Sequence, residues 1–433
     1  MTNRFMSKAL ASTAALLLVA GLSACSKNDI LTPDNPDVIQ PENLTTPEGL
    51  AALYTGAVSD LVVSATGGSG VVIFAGLFTD ELMHASTPPA VREWDLRGVL
   101  ATNAVATNGP FLLVQRARTA LEIAAGKLPA NDPRTGELYA LAGMSYIFLG
   151  EMWCSGTPIS DREPFALGTP KTTAELFTLA VDRLGKAASN LGGSDRITNL
   201  TAVLKGRALL NLGQFSQAAA AVAAVPTNFN YDFIHAAPPG RQSNQIQLQT
   251  ASDIYSVPNR EGTNGLPFAS AADPRVPVLS TGASRNDGVT PMVVAKKYPT
   301  IDAAVSMVNG VEARLIEAEA ALQASNNALW LQKLNDARAT IPALAPLADP
   351  GTQAARVDLT FSERAFWFYL TGHRLGDLRR LVRQYSRGIK TVYPTGGYHK
   401  QGLTRGTQAT LIVPQPEENN PGYTAASCTV NTP

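Results

Sequence analysis

Apolar residues recur at helical spacing through the first half of the chain, with Gly or Pro punctuating the runs. Thr45-x-x-Glu48, with Pro47 in the first turn, reads as a capping box opening a helix through Ser59 to Val63, and Thr172-x-x-Glu175 opens another. Phe111 to Lys127, Pro133 to Trp153, Thr201 to Leu212 and Gln214 to Val225 continue the series. Between Pro226 and Val308 the pattern changes to Pro, Gly, Asn, Ser and Asp in quantity, with short apolar runs such as Met292 to Ala295. Irregular segments carried on a rigid scaffold are where binding residues gather, so this stretch is expected to hold a ligand.

The helices repeat. Gly143-Met-Ser145, with Gly150 seven residues after the first glycine, matches Gly206-Arg-Ala208 with Gly213, and the second copy continues into Phe215 and Ala218. Small residues let the two helices of a hairpin approach closely, and a glycine closing the first lets an aromatic restart the second, which is tetratricopeptide grammar. A third copy, Ala318-Glu-Ala320 to Asn326, lacks the turn glycine. The predicted fold is mostly α: a tetratricopeptide-like helical-hairpin scaffold over about 110–225 and 308–386, carrying a loop-rich region over about 226–307 and a tail over 387–433. With 45% hydrophobic and 16% charged residues, 44–433 has ample material for one domain.

The amino terminus reads differently. Arg4 and Lys8 precede an apolar run from Ala9 to Ala20, and Leu22-Ser23-Ala24-Cys25 follows. This is a signal peptide over 1–24, and the cysteine resembles the acylated residue of a bacterial lipobox. Cys25 is the expected lipidation site, its acyl chains, palmitate among them, anchoring the body to a membrane. Residues 25–43 form a spacer rich in Asp, Asn and Pro. No later segment is expected to span a bilayer. Lys plus Arg equals Asp plus Glu at 35 each; loss of Arg4 and Lys8 leaves a mature charge of about −2, with no polybasic patch for nucleic acid.

Catalytic signatures are missing: there is no His-Glu-x-x-His, no Gly-x-Ser-x-Gly and no phosphate loop. His84, His235, His373 and His399 are too scattered in sequence to suggest a triad or metal cluster, and no cofactor or metal is called for. Paired acids such as Asp80-Glu81 could serve glycoside hydrolysis only at the right spatial separation. Trp94, flanked by Arg92, Glu93, Asp95 and Arg97, looks like a binding loop or a tryptophan capping the core. Asp80, Glu81, Arg92, Trp94, Tyr231 and Tyr255 are the candidate ligand-binding residues, with Tyr298 behind them. Trp330 and Trp367 fall in expected core helices. Lipidation of Cys25 leaves an even pair, Cys154 and Cys428, expected to form a disulfide in an exported chain; the alternative is two separate thiols.

Several motifs in shared order resemble the SusD/RagB group of outer-membrane nutrient-uptake lipoproteins. They are the lipobox, the helical hairpins, Asp273-Pro274-Arg275-Val276, Val311 to Leu322, Leu334-Asn335-x-x-Arg338, Glu363-Arg364 with Gly372-His373-Arg374-x-x-Asp377-Leu378-x-Arg380, and Ile412-x-Pro414-Gln415-x-Glu417 with Asn420-Pro421. The chain departs from the family at Trp367 and Thr371, where glutamates are usual. Glu363, Arg364, His373, Arg374, Asp377 and Arg380 read as a structural ion-pair network on two packed helices rather than a catalytic set. The resemblance implies capture of an oligomeric nutrient, glycan or peptide, and delivery to a SusC-type TonB-dependent transporter from an outer membrane, facing outward, without catalysis. The rival readings are an envelope scaffold that binds no small ligand and a surface glycoside hydrolase.

Overall fold

The computed structural model describes residues 44–129, 131–162, 165–237 and 240–433; Cys25, the signal and the spacer lie outside them. Contacts divide the chain into two units, Met1–Ala51 and Ala52–Pro433. In the first unit the helix cap is Thr46, whose Oγ1 accepts from Gly49 N at 3.1 Å, one residue later than the Thr45 box predicts.

The helices are α1 Pro47–Thr66, α2 Val71–Phe78, α3 Pro89–Asp95, α4 Ala104–Asn108, α5 Pro110–Lys127, α6 Arg134–Met152, α7 Thr173–Ala188, α8 Asp195–Asn211 and α9 Phe215–Val222. After the loop-rich region come α11 Gly310–Gln323, α12 Asn327–Arg338, α13 Gln353–Trp367, α14 Arg374–Tyr385 and α15 Ile389–Val392, with α10, Gln245–Ala251, inside that region. The predicted capping box of α7 is present, Thr172 and Glu175 each bonding the other's backbone. Pro47–Phe78 does reach the length and apolarity of a membrane span, contrary to the sequence reading. However, 83% of its apolar 18-residue window is buried inside the protein, and the turn between α1 and α2 interrupts the segment. Every residue of α2 is buried, as an all-apolar helix requires.

From α5 to α9 each helix packs on the next, then α9 on α11 and α11 on α12, the one-dimensional stacking of a tetratricopeptide-like solenoid. A Cβ on Gly206 would lie 2.5 Å from Val222 Cγ1, so only glycine lets α8 meet α9 there. Gly213 turns the chain at φ +73°. The first copy differs from expectation: Gly150 lies inside α6, not after it, and its missing side chain makes room for Phe177 of α7, 2.8 Å from where a Cβ would be. In the third copy Ser325 takes the left-handed position at φ +57°, which costs about 1–2 kcal/mol relative to glycine.

The strands form antiparallel pairs. Met83–His84 (β1) pairs with Tyr255–Ser256 (β7), Thr157–Pro158 (β2) with Pro170–Lys171 (β5), and Asp161–Arg162 (β3) with Phe165–Ala166 (β4). Val278–Ala283 (β8) pairs with Pro291–Ala295 (β9). Asn230–Phe233 (β6) pairs with Val305–Asn309 (β10), in the register Tyr231 to Val308 and Asn230 to Asn309. That last ladder closes the loop-rich region at its base, directly between α9 and α11.

Cys154 and Cys428 are joined by a disulfide, Cα to Cα 5.3 Å. The tail is also docked by other means. Cys154 N donates to Leu411 O, Leu411 N to Met152 O and Ala409 N to Val430 O, and Leu411, Val413 and Tyr423 are buried.

Candidate ligand-binding site

Most of the ligand candidates named from sequence turn inward. Trp94 lies on α3, not in a loop, and is 2% exposed. Its ring meets Phe74 edge-on at 4.8 Å and its Nε1 donates to Asn103 Oδ1 at 3.4 Å, which leaves no face for a ligand. Asp80 is fully buried and holds Arg374, whose Nε and Nη2 donate to its two oxygens at 2.6 and 2.8 Å. Glu81 Oε1 accepts from Leu370 N at 3.0 Å, and burial pushes its carboxyl up to about 8. Tyr231 and Tyr255 are buried, the first donating to Glu137 Oε1 at 2.5 Å. Arg92 donates to Gln401 Oε1 at 2.7 Å near the surface. The charges around Trp94 have distant partners: Arg405 donates to Asp95 and Glu261, and Arg97 to the carbonyls of Pro394 and Gln408.

The family-motif residues come together as ion pairs. Arg364 and Arg380 both donate to Asp377, at 2.8 to 2.9 Å, and Arg380 also pairs with Glu319. Burial alone would raise the Asp377 carboxyl, but these two guanidinium groups hold it well below the usual range. Arg207 Nη1 donates to His373 Nε2 at 2.7 Å. That nitrogen therefore accepts, the ring proton sits on Nδ1 facing Thr371 Oγ1, and burial with Arg207 lowers the imidazole pKa. A neutral, enclosed histidine of this kind is a packing element.

Asp95, Glu261 and His399 offer three possible ligand atoms within 4.8 Å of one another. Arg405 already supplies a cation to both acids.

A different place has the chemistry of a binding site. Where the loop-rich region meets the end of α13, a cavity of about 450 Å³ is lined by Trp367, Lys297, Tyr298, Asn228, Asn230 and Ser306, among others. Trp367 is half-buried, Arg275 Cζ lies 5.1 Å from its ring, and its buried Nε1 has no hydrogen-bond partner among the described residues. The exposed amides of Asn228 and Asn230 stand at the rim, with Ser306 Oγ donating to Asn230 Oδ1 at 3.0 Å. Tyr298 OH donates to Leu370 O at 2.9 Å and Lys297 Nζ to Tyr369 O at 2.6 Å. An aromatic wall with convergent polar groups is how small-ligand sites are built. A larger groove of about 760 Å³ lies between α9 and α11–α12, where six alanines alternate with Phe215 and polar residues such as Gln214, Gln217 and Asn326, and where Lys333 and Glu317 already pair with each other.

Of the sequence candidates only Tyr298 lines this cavity. Trp367 was assigned to the core because α13 reads as an ordinary amphipathic helix. The available signal was its departure from the glutamate usual at that position.

No protein-family model matches the sequence, and no curated protein matches it. Solved structures do. A SusD-like protein from Bacteroides fragilis superposes with TM-score 0.65 at 13% identity, covering 91% of this chain and 98% of its own. A SusD superfamily protein from Parabacteroides distasonis gives 0.64 at 11%, covering 87% and 98%. A SusD-like carbohydrate binding protein from Bacteroides vulgatus gives 0.56 at 14%, covering 76% and 82%. These superpositions span most of both chains in each case, and this chain has the mostly α, tetratricopeptide-like fold of the SusD-like proteins.

Proposed function

We propose that this protein is a lipid-anchored, outward-facing outer-membrane lipoprotein that captures an oligosaccharide and passes it to a SusC-type TonB-dependent transporter. The observation that carries the reading is Trp367, whose half-buried indole lines a cavity that Asn228 and Asn230 also line. A flat ring face suits the C–H face of a sugar, while amide and hydroxyl groups suit its hydroxyls. Asp80 and Glu81, the acids that glycoside hydrolysis would have used, are committed to Arg374 and Leu370. The Bacteroides vulgatus neighbour described as carbohydrate binding lends the same direction. Delivery to a barrel follows from the lipobox at Cys25 and the family resemblance.

The test is retention of the purified protein on immobilised glycans and peptides, alongside recovery of partners from detergent-solubilised envelopes. Glycan retention together with a co-purifying barrel supports the proposal. Peptide retention alone moves the ligand class, and partner recovery with no ligand retained favours the scaffold reading.

A further inference from the structure

The cavity that the proposed function uses also carries a charge imbalance. Its lining includes two cationic side chains, Arg275 and Lys297, and no carboxylate.

The two cations are not equivalent. Arg275 is fully committed: Nε and Nη2 donate to Asp273 at 2.9 and 2.7 Å, and Nη1 and Nη2 to Glu363 at 2.8 and 3.2 Å. Its charge is cancelled where it stands. Lys297 makes one hydrogen bond, to the neutral carbonyl of Tyr369, and no ion pair among the described residues. Two of its three ammonium protons remain for a ligand.

The acids near Lys297 do not neutralise it. Glu81 is enclosed behind the cavity, one oxygen accepting from Leu370 N and the other unpartnered, and a carboxyl pushed to about 8 is protonated at neutral pH. Asp232 acts on neighbouring Tyr298 but is exposed, where water screens it. Burial lowers the Lys297 ammonium to about 8, a value that includes opposition from an ionised Glu81; beside the protonated Glu81 the ammonium depends on an anionic ligand to hold its charge. A half-buried cation without a counter-charge loses solvation that a neutral sugar cannot restore, whereas an anionic group can.

We infer that the oligosaccharide held by this cavity is an acidic one, whose carboxylate or sulfate group pairs with Lys297 while a sugar ring lies on Trp367. This rests on the glycan reading of the site and names its substrate class.

The experiment uses isothermal titration with pairs differing only in charge. These are galacturonate oligomers against their methyl esters, and sulfated galactan oligomers against desulfated ones. The charged member of one pair is expected to bind at least about tenfold more tightly, an advantage that shrinks as salt rises. The pair that shows it identifies the acid as carboxylate or sulfate. In Lys297→Gln the advantage disappears while the neutral member still binds; Lys297→Arg, which keeps the charge, retains it. Equal binding of charged and neutral members by the wild type overturns the inference and leaves the glycan reading standing, as does an advantage that survives in Lys297→Gln. No binding of any pair, in a protein shown to be folded, overturns both.

Discussion

Asp80→Ala removes the carboxylate that joins the start of the body to its carboxyl-terminal helices. Asp80 is fully buried and Arg374 nearly so, and the two share a bidentate pair across 294 residues of sequence. Asp80 Oδ2 also accepts from Leu266 N at 2.8 Å. Removing one partner of a buried pair leaves an uncompensated charge and costs about 3–5 kcal/mol, with about 1 kcal/mol more for the stranded amide. Asp80→Asn separates the two contributions, because its side-chain oxygen can still serve Leu266. One neighbour can compensate: Glu81 also acts on Arg374, and without the Asp80 charge its carboxyl ionises more easily than at the wild-type value of about 8. The penalty of Asp80→Ala is therefore larger at pH 5.5 than at pH 8.5. Urea unfolding at both values measures it. A loss under about 1 kcal/mol at pH 5.5, the scale of an exposed pair, would refute the reasoning.

Three further outcomes are expected. The Glu81 carboxyl is raised from 4.5 to about 8, so the folded state holds a proton the unfolded chain has released. Stability should fall as pH rises through that window, by at most about 1.4 kcal/mol per unit from this group; Glu81→Gln should flatten the slope, and an unchanged pH profile in that variant counts against the assignment. Alkylation and intact mass of the denatured, unreduced mature protein should find Cys154 and Cys428 blocked. With the two cysteines 274 positions apart in sequence, reduction should cost about 5–6 kcal/mol at most on the chain-entropy model, and two alkylatable thiols before reduction would contradict it. Cys25→Ser should abolish lipidation and release the protein from membranes in cells lacking the proposed barrel partner; continued membrane association in that background would remove the anchor claim.

The scaffold was legible because its determinants are local. Gly206 and Gly213, and the Thr172 and Glu175 box, act on residues a few positions away or on the adjoining helix, so spacing alone exposes them. The disulfide could be read because cysteine parity needs no geometry. The site was hidden by long-range pairing. Trp94 sits among charges that look solvent-facing, yet Arg97 and Asp95 are buried against groups some 300 residues on, and hydropathy cannot distinguish a solvated charge from a paired one. Asp80 and Glu81 misled for the same reason. Trp367 was missed in the opposite direction: its neighbours Phe366 and Phe368 are core residues, and nothing in the pattern says that the residue between them opens into a cavity formed by Asn228 and Lys297 from elsewhere in the chain.

The most direct test of capture at this cavity is titration of the glycan retained by the wild-type protein into Trp367→Ala and, as a control, Trp94→Phe. Loss of an aromatic anchor should weaken binding by roughly tenfold to a hundredfold in Trp367→Ala. Trp94→Phe should lower the unfolding midpoint and leave affinity unchanged, since that ring serves the core against Phe74. Wild-type affinity in a folded Trp367→Ala variant would contradict the account and place the ligand elsewhere on the molecule.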